Sequence, residues 1–189
     1  GANTPAGDTA DYSLLGPGAT VTLVTNVINV ENLIGGGGTL SGGSAWVIGA
    51  GKGDLLNDGT VDGLTFLNWA NLTGTTGANT FTINGGTLTG NIDGLAGTDT
   101  LTGDNLVNAW TIAGANTGTV TGVGGTYSGI ENLTGNAAKD TFTFTAAGAS
   151  LSGLIDGAGA LTDTVDYSGL TPPQTLTIGT GVTNVEELV

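Results

Sequence analysis

The chain has 189 residues, 37 of them glycine, about a fifth against a usual share of ~7%, and with no three-residue glycine period collagen is excluded. Sixteen acidic residues face two basic ones, Lys52 and Lys139, for a net charge of −14; this argues against nucleic acid and anionic membranes as partners and permits cations. Histidine, cysteine and methionine are absent, which excludes a disulfide scaffold and Ser–His or Cys–His nucleophile sets.

The apolar residues are mainly Val, Leu, Ile and Ala interleaved with Thr, a mixture that suits half-buried strands. Gly, Asn and Asp supply the turns. In chain order, Asp8–Ser13 opens the sequence with Asp-Thr-Ala-Asp-Tyr-Ser, and Thr20–Val24 then alternates Thr with apolar residues. Val-Glu-Asn-Leu-Ile-Gly follows at 30–35 and Ala-Trp-Val-Ile at 45–48. Thr80–Ile83, Trp110–Gly114, Thr141–Thr145 and Thr175–Ile178 repeat the alternation. Each is a period-2 strand pattern, and nothing in the chain has helical periodicity. No apolar run reaches the ~18 residues of a spanning helix, so no membrane insertion is expected. The chain starts at Gly and has no charged leader, which reads as a mature or excised piece of a longer protein.

The sequence repeats. Asp11–Ile34 aligns without a gap on Asp166–Val189, with 13 of 24 positions identical at an offset of 155. A second set of matches falls at offsets of 61–64: Ala45–Ile48 on Ala109–Ile112, Asn71–Gly74 on Asn132–Gly135, Thr80–Thr82 on Thr141–Thr143, and Ile92–Gly94 on Ile155–Gly157. The expected fold is therefore all-β: a parallel β-solenoid of stacked ~20-residue coils over 1–189 as one repetitive domain, about three coils per unit and nine in all. An antiparallel β-sandwich with internal duplication is the alternative, and a hairpin at Asn84-Gly85-Gly86 would fit it.

Candidate sites follow from recurrence. The Asn of the Glu-Asn-Leu motif and its variant, at Asn32, Asn71 and Asn132, predicts a structural amide ladder. Trp46, Trp69 and Trp110 offer glycan contact if exposed and core packing if buried. Thr-x-Thr pairs aligned on one face would order water, as in ice-binding solenoids; the plainer reading is that Thr is a good exposed strand residue. Catalysis has little support. Lyase chemistry on acidic sugars needs cationic groups that this chain lacks, and no facing carboxylate pair is marked for a glycosidase.

Ile92–Leu101 resembles the calcium-binding nonapeptide of RTX β-rolls, G-G-x-G-x-D-x-U-x. Gly94, Gly97, Asp99 and Leu101 fill its first, fourth, sixth and eighth positions, and Leu95 replaces the second glycine. Ile155–Val165 is similar, and Gly135, Asp140 and Phe142 fit more loosely. The resemblance implies Asp93, Asp99, Asp156 and Asp163 as candidate calcium ligands, with Asx turn caps as the competing role. The order Asp-Thr-x-Asp-Tyr-Ser, Thr/Val strand, Glu-Asn-Leu resembles repetitive regions of large bacterial surface proteins: RTX-type adhesins, filamentous-haemagglutinin-like exoproteins and S-layer-like proteins. That resemblance implies a secreted or surface-attached, non-enzymatic module that stacks head to tail on itself or on flanking repeats. It needs no cofactor, except calcium if the nonapeptides are occupied, and it leaves surface glycans as further partners.

Overall fold

The computed structural model describes residues 8–23, 30–49, 56–159, 162–170, 177–178 and 181–189. Lys52, Val24, Thr175 and Leu176, all named above, lie outside them. The described chain is all-β, and its only helix is a 3-10 turn at Ser13–Leu15.

The strands, in chain order, are β1 (Thr9–Asp11), β2 (Thr20–Thr22), β3 (Asn32–Ile34), β4 (Thr39–Ser41), β5 (Ala45–Ile48), β6 (Gly59–Val61), β7 (Leu64–Leu67), β8 (Asn71–Thr73), β9 (Thr80–Ile83), β10 (Ile92–Asp93), β11 (Thr100–Thr102), β12 (Ala109–Gly114), β13 (Thr117–Val120), β14 (Tyr127–Ser128), β15 (Asn132–Asn136), β16 (Thr141–Phe144), β17 (Ser150–Leu151), β18 (Leu154–Ala158), β19 (Thr164–Asp166), β20 (Thr177–Ile178), β21 (Gly181–Thr183) and β22 (Glu187–Leu188). They form two ten-stranded sheets. Sheet A runs β1-β3-β7-β6-β5-β9-β11-β15-β18-β21, and sheet B runs β2-β4-β8-β10-β14-β13-β12-β16-β19-β22. A short third pair, β17–β20, is parallel. Outside two meanders the chain alternates between the large sheets, and neighbours within each are parallel.

The Thr-apolar alternation builds the core. On β11, Leu101 is buried while Thr100 and Thr102 face outward and are half-buried. Register stacks the inward residues into columns: Trp46, Phe81, Leu101, Leu133, Ile155 and Val182 in sheet A, and Leu40, Leu72, Ile92 and Tyr127 in sheet B. Burying each large side chain contributes roughly 2 kcal/mol.

The two meanders make the sheets mixed. β5-β6-β7 is antiparallel within sheet A, and β12-β13-β14 is antiparallel within sheet B. The first turns through Asp62-Gly63, both at positive φ (48° and 86°), the backbone a two-residue hairpin loop requires. Asn84-Gly85-Gly86 is not a hairpin, because β9 continues its parallel pairing with β5 through Ile83.

The sequence repeat changes sheets. β5 and β12, matched at offset 64, open the two meanders in opposite sheets. β8 and β15, β9 and β16, β10 and β18, and β1 and β19 are each likewise divided between sheets A and B. Between Trp46 and Trp110 the chain passes through β7, β8, β9, β10, β11 and β12, crossing between sheets five times. An odd number of crossings puts each copy on the face opposite its partner.

The three tryptophans are core residues, each 1% exposed, so none presents a face to a sugar. Trp46 stacks on Phe81 with ring centroids 5.9 Å apart and meets Phe66 edge-on. Trp110 repeats this, stacking on Phe142 at 5.4 Å and meeting Tyr127 edge-on.

Candidate functional site

Polar recognition inside the fold concentrates just before the strands, where the chain turns from one sheet into the other. Three Asp-Thr pairs, Asp8-Thr9, Asp99-Thr100 and Asp163-Thr164, each meet a Glu on the neighbouring strand's approach. The amides of Asp8, Asp99 and Asp163 donate to Glu31, Glu131 and Glu186 carboxylates at 2.7, 2.8 and 2.8 Å. In return the amides of each Glu and of the residue after it donate to the Asp carbonyl at 2.9–3.2 Å. This reciprocal clamp accounts for three of the four Asp-Thr pairs, the amide of Asp140 in the fourth donating to Asp163 Oδ1 instead, and for Glu-Asn-Leu: Glu closes the clamp, and the Leu of the first two copies, Leu33 and Leu133, enters the core.

The Asp-Tyr-Ser copies are local turns. Asp11 and Asp166 accept the amides of Ser13 and Ser168 at 2.8 and 2.9 Å. The serine hydroxyl, and then the amide, hold both carboxyls below the ordinary aspartate value.

A second motif contains the nonapeptide matches and extends beyond them to two Asn copies that the sequence reading did not single out. A glycine stands five residues before a buried Asn or Asp at Gly74/Asn79, Gly94/Asp99, Gly103/Asn108 and Gly135/Asp140, and six before it at Gly157/Asp163. A Cβ on any of these glycines would collide with the Asn or Asp side chain. Asn79 and Asn108 are fully satisfied. Each Nδ2 donates to the carbonyls two and four residues earlier and to a glycine carbonyl, Gly94 O just after β10 at 3.1 Å or Gly135 O near the end of β15 at 3.2 Å.

Where Asp replaces Asn, the donor is lost and Oδ1 turns to a different partner. Each Asn Oδ1 accepts a loop amide, Thr75 N or Asp104 N, whereas each Asp Oδ1 accepts an amide from the neighbouring strand's approach: Asn79 N to Asp99 at 2.6 Å, Asn108 N to Asp140 at 2.7 Å, Asp140 N to Asp163 at 2.7 Å. Oδ2 of all three acids is buried and has no partner. The loop also changes. Leu95, Asn136 and Ala158, each following the glycine, have positive φ of 68°, 94° and 65°. Thr75 and Asp104, at the same place in the Asn loops, are not in that region. Asn, with its Nδ2, can draw the loop carbonyls inward, and Asp cannot.

The two deepest shifted acids sit in one column. Burial pushes Asp140 up, against the opposing Asn108 hydrogen bonds and with a further push from the Asp163 charge. Burial pushes Asp163 up as well. The Asp140 amide and Lys139 oppose this, and Glu186 and Asp156 add to it.

The four acids proposed as calcium ligands do not converge. Asp93 lies on β10 of sheet B, half-buried, accepting the Leu95 amide and the Ser128 hydroxyl. Asp99 precedes β11 of sheet A and points inward. Asp156 on β18 accepts Ala158 N and Asn184 Nδ2, while Asp163 points inward before β19. Among the described residues no group of three or more acids could jointly hold a metal ion.

The three asparagines do not form one ladder either. Asn32 and Asn132 lie on β3 and β15 of sheet A with five strands between them, and Asn71 lies on β8 of sheet B. Asn71 and Asn132 instead accept a neighbouring strand's amide, Asn91 N at 2.9 Å and Leu154 N at 3.0 Å.

Outward Thr columns exist but are interrupted. Thr82, Thr102 and Thr134 are followed by Asp156 and then Thr183. On sheet B a polar trough of about 410 Å³ is lined by Thr39, Asn71, Thr73, Asn91, Asp93 and Ser128. Hydroxyls and amides there can hydrogen-bond a ligand, but no aromatic side chain lines the trough.

Comparison with protein-family models, with curated proteins and with solved structures finds no match.

Proposed function

We propose that the chain is a parallel β-solenoid acting as a structural module of a secreted or cell-surface protein, without catalytic activity, and that it extends by end-to-end stacking. The observation that supports this reading is the alternation between sheets. One end of the stack offers β21 in sheet A and β22 in sheet B, and the other offers β1 in sheet A and β2 in sheet B. A second copy placing β1 on β21 and β2 on β22 continues the alternation without a break. It also sets Ala10 and Val21 on Val182 and Leu188, inward positions that retain exposure, 61% at Leu188. Open parallel edges of this kind pair readily, and a head-to-tail contact of this type does not close. The acidic surface suits solubility along such a rod.

Negative-stain electron microscopy of the purified chain, with calcium and with a chelator, tests this. Uniform filaments in both conditions are expected. Short particles that stay monomeric at high concentration would refute end-to-end stacking, and filaments lost on chelation would make calcium part of the contact.

A further inference from the structure

We propose that Asp140 and Asp163 are proton-binding positions of the folded chain, each carrying its proton on Oδ2, so that the fold is strengthened by mild acid. The geometry comes from comparison within the molecule. Asn108, Asp140 and Asp163 stand immediately before β12, β16 and β19 respectively, which are consecutive neighbours in sheet B. All three side chains are fully buried. Asn108 Nδ2 donates to Gly135 O, near the end of β15. Asp140 Oδ2 stands in the corresponding place: a Cβ on Gly135 would meet both Asp140 Oδ2 and Gly157 O. A Cβ on Gly157 would meet both Asp163 Oδ2 and Asn184 O. An ionised oxygen buried beside a carbonyl, with no protein donor, is unfavourable. A proton taken from solvent turns the same oxygen into the donor that Asn108 supplies with its amide.

The surrounding charges favour the same state. Asp140 is faced by the amide of Asn108 and the carboxyl of Asp163. Asp163 is faced by Asp140, Glu186 and Asp156, with Lys139 the one cation near it among the described residues. Both carboxyls are pushed above the ordinary aspartate value, chiefly by burial. A group raised in the folded state contributes stability that is fully present below the unfolded value and is lost as pH rises through the folded value. The window therefore opens at the ordinary aspartate value and closes at the raised folded-state values. Asp99 has the same unpartnered Oδ2 but stands outside this pair, in sheet A.

The test is thermal unfolding of wild type, Asp140→Asn, Asp163→Asn and the double variant at about pH 4 and about pH 7.5. Asp8→Asn serves as a control that removes one exposed charge on the approach to β1, in the other sheet. The wild-type midpoint is expected to fall as pH rises. The double variant should be higher than wild type at the upper pH, by about 3 °C or more, and should lose most of the pH dependence that the control keeps. Carboxyl ¹³C shifts of the wild-type chain, titrated over the same range, read the two protons directly and need no variant to fold. Normal titration of both carboxyls, or variants less stable than wild type at the upper pH, would overturn the proposal. So would a rise in the wild-type midpoint with added calcium chloride that the double variant lacks, since Oδ2 would then take a cation in place of a proton.

Discussion

Single residues show how closely the two copies of the unit agree and where they part. Trp46 and Trp110 stack on equivalent phenylalanines, Phe81 and Phe142, yet only one indole N–H is satisfied. Trp46 Nε1 donates to Gly43 O at 2.9 Å, while Trp110 Nε1 is buried without a partner. Replacing Trp46 by Phe removes a hydrogen bond along with ring volume, whereas the same change at Trp110 relieves an unsatisfied donor. Trp46→Phe should therefore cost about 1 kcal/mol more than Trp110→Phe in urea unfolding. Equal costs, or the reverse order, would show that packing alone sets the difference. Gly59 and Gly118 give a second matched pair. Added Cβ atoms there would strike Val47 O and Thr111 O respectively, as well as the Phe66 and Tyr127 side chains. Gly59→Ala and Gly118→Ala should each cost about 3 kcal/mol or more, read as loss of unfolding midpoint, and a near-neutral result at either would mean that the meander can widen.

The strands were legible in the sequence and their partners were not. Thr-x-Thr alternation identified β9 and β16 because one face of each is buried and period 2 follows from that. The tryptophans stood between glycan contact and core packing, and their burial decides for the core. The meanders were missed: Asp62-Gly63 is a strong hairpin signal, but it lies within Leu-rich sequence that reads as continuous. Asp62 also caps the start of β5, accepting Ser44 N, Ser44 Oγ and Ala45 N at 3.0, 2.8 and 2.9 Å. Asp62→Ala should cost about 1–2 kcal/mol, with hydrogen exchange rising first at β5 and β6. Unchanged protection there would remove the turn's role in holding the meander. The corner acids were half-legible. Asp99 and Asp163 stood out as nonapeptide positions, but a nonapeptide match cannot tell an outward ligand from an inward side chain. Asp140, Asn79 and Asn108 share a glycine spacing that becomes meaningful only when the packing of that glycine against the side chain is seen.

At the scale of the whole molecule, the offsets of 61–64 and 155 residues revealed a repeat but not its parity. Sequence distance counts residues, whereas the sheet on which a segment lands depends on the number of crossings. Five crossings per unit carry Trp46 to one sheet and Trp110 to the other. Stacking along one axis, with neighbouring strands parallel, is the claim on which the proposed solenoid and its end-to-end growth both rest. The measurement that tests it most directly is a pulsed electron paramagnetic resonance distance between spin labels on Thr82→Cys and Thr183→Cys, in a chain with no native cysteine. The two positions share one outward column, on β9 and β21, with β11, β15 and β18 between them. Four steps of ~4.8 Å predict a single narrow distance of about 19 Å before the label arms are added. A distance beyond about 30 Å, or a broad distribution over several, would contradict the stack.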